Sequence, residues 1–86
     1  MKNTEKTELE PIFDTRKSFY KKAYTLTEND KIILLSYNTE VAEIRDGKAK
    51  IFGTYSQTTL RHIREFLYQN GFKLGTKKEL MEWYGN

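Results

Sequence analysis

His62 is the chain's single histidine, one helical turn after Thr58 and three residues after Thr59, in the run Tyr55-Ser56-Gln57-Thr58-Thr59-Leu60-Arg61-His62. An imidazole beside hydroxyls is the raw material of a general base and a nucleophile. That chemistry needs the base held by a third group, which adjacency along a helix does not supply. A histidine at the border of a helix face, with two polar ring atoms, is read first as a structural hydrogen-bonding residue. No catalytic residue is assigned. With one His and no Cys, a metal site would rest on carboxylates alone, and no dense acidic loop is present, so no metal ligand is assigned either. The five glycines are scattered singly and build neither a P-loop nor a dinucleotide fingerprint. The chain therefore reads as a non-enzyme without a cofactor.

Two other groups of side chains suit binding. Arg45, Lys48 and Lys50, with Phe52 and with Tyr37 or Tyr20 from neighbouring strands, interleave positive charge with rings, which is how an open sheet holds single-stranded DNA or RNA through phosphate contacts and base stacking. Glu43 neutralises part of that patch, and lysines on outer strand positions also serve solubility. The second group is Arg61, Glu65 and Tyr68 on the outward side of one predicted helix, with Arg64 beside them. Arg and Tyr anchor protein interfaces because each offers area and directional hydrogen bonds. Glu65 and Arg61, one turn apart, also suit an ordinary solvated helix pair.

The elements that position these groups are legible in part. At 86 residues there is room for one domain, and without cysteine no disulfide scaffold or zinc finger supports it. Aromatic residues at 14% supply large buried areas instead. Residues 1–15 are polar, aperiodic and net acidic, with Leu9, Ile12 and Phe13 their only apolar residues after Met1, so they read as a flexible lead ending in an anchor. The domain is expected over residues 16–86, where 13 bases against 8 acids leave a net charge of +5. Phe19 to Leu26 reads as a first strand, and Lys31 to Tyr37, apolar on both faces, as a central one. Asp46-Gly47 is a type I′ hairpin turn joining Val41–Arg45 to Lys48–Phe52. It sets Ala42 opposite Ile51 and Ile44 opposite Ala49 on the core side.

Ser56 is a good N-cap for a helix carrying Leu60, Ile63, Phe66 and Leu67 inward, with His62 and Arg64 on its borders and Gly71 placed for the C-terminal cap. Thr76-Lys77-Lys78-Glu79 has the capping-box form and opens a short last helix carrying Leu80 and Trp83. The expected fold is α+β: a mostly antiparallel four-stranded sheet, a β-meander, followed by two C-terminal helices packed on one face. No apolar run approaches membrane-span length and no secretory segment opens the chain, so the expected setting is the cytoplasm, with no membrane partner.

The stretch Tyr55-Ser56-Gln57-Thr58-Thr59-Leu60-Arg61-His62-Ile63-Arg64-Glu65-Phe66-Leu67, preceded by Ser36-Tyr37-Asn38-Thr39-Glu40-Val41-Ala42, resembles a family of short uncharacterised proteins from Firmicutes and their phages and plasmids. The shared pattern is YS-x-TT-x-R-H-I-x-x-F-L after a strand containing Y-(D/N)-T-x-V-A. The resemblance implies a setting in bacterial mobile elements, hence the cytoplasm of a bacterial host cell, and brings no activity or cofactor. In that setting the expected function is a non-enzymatic binder of a host protein, such as an inhibitor of a defence nuclease or another nucleic-acid-handling complex. Direct binding of single-stranded DNA or RNA is the alternative.

Overall fold

The computed structural model describes residues 5–15, 17–53 and 55–85. The first four residues of the expected lead, and Arg16, where the domain is expected to begin, lie outside the described residues. The chain forms β1 (Glu5–Glu8), β2 (Ala23–Glu28), β3 (Lys31–Ser36), β4 (Thr39–Arg45), β5 (Lys48–Ile51), α1 (Gln57–Gln69) and α2 (Lys77–Tyr84). The strands pair in sequence order, each antiparallel to the next, in one five-stranded meander with the two helices following. The α+β expectation holds, with five strands rather than four. The additional strand is β1, inside the segment read as a lead, where Glu5–Glu8 pairs with Tyr24–Thr27 along the sheet edge. Its sequence, EKTE, has no apolar alternation because it is almost wholly exposed.

The Asp46-Gly47 hairpin has the expected register, with Arg45 opposite Lys48, Glu43 opposite Lys50 and Ala42 opposite Ile51. Both turn residues hold positive φ, 51° and 73°, as a type I′ turn requires. Between Leu34 and Leu35 the β3–β4 register slips by one residue and leaves Val41 as a bulge. A bulge breaks the two-residue alternation, so Val41 and Ala42, neighbours in sequence, both enter the core. The first predicted strand starts later than expected: Phe19 to Lys22 form a turn instead, with the Lys22 amide donating to the Phe19 carbonyl at 2.9 Å. Phe19 is an apolar anchor of that turn rather than a strand residue, and it is buried in the core.

Helix α1 lays Leu60, Ile63, Phe66 and Leu67 against Leu34, Ala42, Ile44 and Ile51 of the sheet. Ser56 caps it by accepting from the Thr59 amide at 3.3 Å. At its other end Gly71 at φ 79° allows a Schellman closure, with Phe72 N–H donating to the Leu67 carbonyl and Gly71 N–H to that of Tyr68. In α2 the capping box is complete: the Glu79 amide donates to Thr76 Oγ1 at 3.2 Å and the Thr76 amide to Glu79 Oε1 at 2.9 Å. Replacing Thr76 with alanine removes one side of this exchange and is expected to cost about 1 kcal/mol, a fall in melting temperature of roughly 4–8 °C for a domain this small. Thermal unfolding followed by circular dichroism checks it.

Candidate binding surface

The chain between β1 and β2 crosses the outward side of α1 and is fastened there by a buried carboxylate. Glu65 is fully buried. Its Oε1 accepts from the amides of Phe13 at 2.9 Å and Asp14 at 2.8 Å, and its Oε2 accepts from Gln69 Nε2 at 2.7 Å. Gln69 also donates to the Glu10 carbonyl at 2.7 Å. Burial alone would raise the pKa of Glu65. The bonds from Gln69 and from the backbone of Asp14, Ile12 and Phe13 outweigh it and hold the carboxyl below its ordinary value of 4.5. Residues 10–14 are thus a clasp over the helix.

This corrects the predicted protein-binding set. Glu65 is not an outward contact, because the clasp covers it. Arg64 is half-buried and its Nε donates to the Gly75 carbonyl at 3.3 Å, bracing the connection to α2. Arg61 and Tyr68 do reach the surface, each beside a residue of the clasp: Arg61 pairs with Asp14 at 3.3 Å, and the Tyr68 ring lies 5.0 Å from that of Phe13. Ile12, Phe13 and Tyr68 are 72, 49 and 48% exposed. Ile12 and Phe13 were expected as an anchor. Their backbone is held by Glu65, the Ile12 side chain stands outside and the Phe13 ring rests half-exposed against Tyr68, while Leu9, the third apolar residue of that segment, is buried in the core.

The predicted nucleic-acid set is divided. Arg45, Lys48 and Lys50 are exposed on the sheet face away from the helices, Phe52 is exposed just beyond β5, and Glu43 lies between them opposite Lys50. Tyr37 is not with them. It sits in the two-residue turn after β3, at the opposite end of the sheet from the Arg45–Lys48 turn, and its ring faces His62 at 5.9 Å. The central apolar residues of that outer face, Ile33 and Leu35, are buried by cross-strand neighbours such as Tyr24 and Leu26.

Around Tyr37 lies a cleft of about 130 Å³, lined by Phe19, Tyr20, Lys22, Tyr37, Arg61 and His62 among others. His62 is buried, with Nδ1 2.8 Å from Ser36 Oγ, which in turn lies 3.1 Å from Thr59 Oγ1. Its ring packs 4.6 Å from that of Phe19. Ser36 is as buried as His62, so this hydroxyl and imidazole form an interior hydrogen-bond network and the hydroxyl has no open face toward a substrate. Among the described residues no three His, Asp or Glu side chains converge where they could hold a metal, and no helix is long and apolar enough to cross a membrane.

Residues 7–82 match the model of a family of unknown function, DUF8033. The chain belongs to that family. The matched span holds the clasp, the cleft and the whole of α1, and so every described residue of the candidate surface. No curated protein and no solved structure matches the chain.

Sequence reasoning missed Ile12, Phe13, Phe19 and Lys22 as parts of this surface, and it set Tyr20, like Tyr37, on the sheet face when both line the cleft. A signal was present in Phe19-Tyr20-Lys21-Lys22, where rings adjoin a basic pair, but it reads equally as the start of a strand.

Proposed function

We propose that the domain is a non-catalytic binding module that engages another protein through Ile12, Phe13, Arg61 and Tyr68. The observation that carries this is the exposure of Ile12 and Phe13 on a clasp fixed by Glu65, beside an equally exposed Tyr68 on α1. The fold clamps Phe13 and Asp14 by their amides while leaving the Ile12 side chain and about half of the Phe13 ring exposed, an arrangement that serves a partner better than it serves the core. Phenylalanine, tyrosine and arginine on a fixed backbone supply contact area at small entropic cost. In the mobile-element setting implied by the motif, the partner is a host protein, such as a defence nuclease or another nucleic-acid-handling complex. Binding of single strands by the sheet face is the weaker reading, since Glu43 interrupts the cations and Tyr37 is elsewhere.

Affinity capture from a Firmicutes lysate tests this with three baits: wild type, Phe13→Ala with Tyr68→Ala, and Lys48→Glu with Lys50→Glu. Partners held by wild type and by the sheet-face variant are expected to fall by at least about tenfold with the Phe13/Tyr68 variant, corresponding to roughly 1.4 kcal/mol of lost contact. Identical recovery with all three baits would remove this surface from consideration.

A further inference from the structure

Five non-glycine residues among those described hold positive φ, and four of them flank the His62 cleft: Tyr20 at 53°, Lys21 at 61°, Tyr37 at 52° and Asn38 at 66°. The fifth, Asp46, sits in the Asp-Gly turn, where its residue type suits the conformation. Tyrosine does not suit it, because a Cβ and a ring crowd the backbone in the left-handed region; Asn or Gly would make either turn with less strain. Nor is much burial gained in exchange, since Tyr20 is 68% and Tyr37 51% exposed. Strain retained at exposed rings points to a use outside folding.

The two strained turns are tied together. The Tyr37 amide donates to the Lys22 carbonyl at 2.8 Å, and the Tyr20 amide donates to Ser18 Oγ at 2.9 Å, so the two rings are presented on coupled backbone. The rings of Phe19 and His62 line the cleft with them. Cations stand at the same place: Lys22 Nζ lies 5.7 Å from the Tyr37 ring, Lys21 follows Tyr20 directly, and Arg61 lines the cleft while pairing with Asp14. A cavity of about 130 Å³ admits one planar heteroaromatic ring and leaves anything attached to that ring outside, among the cations.

We propose that this cleft binds single-stranded nucleic acid, with one base stacked on Tyr20 and Tyr37 and the neighbouring phosphates on Lys22 and Arg61. The chemistry is the combination of ring faces and positive charge that holds single strands without reading sequence. The site is distinct from the sheet-face patch of Arg45, Lys48 and Lys50, and from the Ile12/Phe13/Tyr68 surface except at Arg61.

The strain makes the test selective. Tyr37→Asn and Tyr20→Asn remove the ring and relieve the backbone, so each variant is expected to melt at or above the wild-type temperature while its binding weakens. Anisotropy of fluorescein-labelled dT10 measures affinity at about 50 mM and about 200 mM salt. Two phosphate contacts on a single strand predict a fall of about sevenfold between the two. Each Tyr→Asn variant is expected to weaken binding about tenfold, the loss of one stacking platform. Lys22→Glu is expected to weaken binding and flatten the salt dependence. Lys48→Glu with Lys50→Glu keeps wild-type affinity. The proposal is overturned by absence of dT10 binding at the lower salt, by wild-type affinity in both tyrosine variants, or by loss confined to the Lys48/Lys50 variant. Displacement of dT10 by dTMP at equal concentration would also overturn it, assigning the cleft to free nucleotide. Displacement by a phosphotyrosine peptide but not by unlabelled dT10 would assign it to a protein.

Discussion

Glu65→Gln is expected to lower the stability of the domain by about 2–3 kcal/mol at neutral pH, the worth of charge-assisted hydrogen bonds in a buried site. That corresponds to a fall in melting temperature of roughly 10–20 °C. The carboxylate is buried and surrounded by donors: Phe13 and Asp14 amides and the Gln69 side chain all point at it. An amide of the same shape has a single acceptor oxygen and turns two hydrogens toward groups that also donate. The clasp then loses its fastening, and residues 10–14 detach from α1. Acid should act on the wild type in the same way. The Glu65 pKa is lower folded than its ordinary 4.5, so the folded state binds its proton less readily than the unfolded chain. Its contribution is fully present above 4.5, begins to fall below that, and is gone once pH has passed below the folded value. The difference in unfolding free energy between wild type and Glu65→Gln should therefore be constant at neutral pH and narrow through the acid limb. Urea titrations at a series of pH values measure it. A difference unchanged down the whole acid limb would show that Glu65 is not held as a carboxylate.

How far such features can be read from sequence depends on how local their causes are. Ser56, Gly71, Thr76 and Asp46-Gly47 act within four or five residues of themselves, through side-chain caps or positive φ, and each acts as its residue type dictates. The β4–β5 register follows from the turn alone. β1 is different: an exposed edge strand of alternating charge and threonine has no buried face to impose a pattern, and it becomes a strand only because β2 offers it backbone partners. The bulge at Val41 likewise needs β3 and β4 together, since nothing in Thr-Glu-Val-Ala says which residue will be left unpaired.

The candidate surface was hardest to read for the same reason. On a helical wheel Glu65 belongs with Arg61 and Tyr68, and an isolated helix would expose all three. Its burial is produced by a segment 51 and 52 residues earlier in the chain that covers only the middle of that side. Tyr37 was assigned to the sheet face by extending the β3 alternation one residue too far. The strand stops at Ser36, and positive φ at Tyr37 and Asn38 turns the ring to the helix side. Arg61 and Tyr68 were legible because their exposure follows from helix period alone.

His62 separates a structural from a catalytic reading most sharply. His62→Ala is expected to destabilise the domain by about 2–4 kcal/mol, because it opens a cavity beside Phe19 and withdraws a hydrogen-bond partner from Ser36, both fully buried. In melting temperature this is roughly 10–25 °C. Ser36→Ala alone should cost less, since Thr59 Oγ1 and His62 Nδ1 each lose one partner without a large void. The two effects should not add. If the 2.8 Å contact holds the network together, the double variant loses it only once, and the coupling in a double-mutant cycle should fall between about 0.5 and 3 kcal/mol. Urea unfolding of the four proteins gives that number directly. A histidine retained for chemistry shows the opposite pattern: its removal leaves stability nearly untouched, and its cycle with Ser36 is additive within about 0.3–0.5 kcal/mol. A buried imidazole against Phe19, with its Nδ1 on a buried hydroxyl, is arranged for the first outcome. Ser36 before the turn and Thr59 and His62 on the helix then read as one interior contact set, which fixes the end of β3 against α1 and so positions the cleft formed around Tyr37 and Arg61.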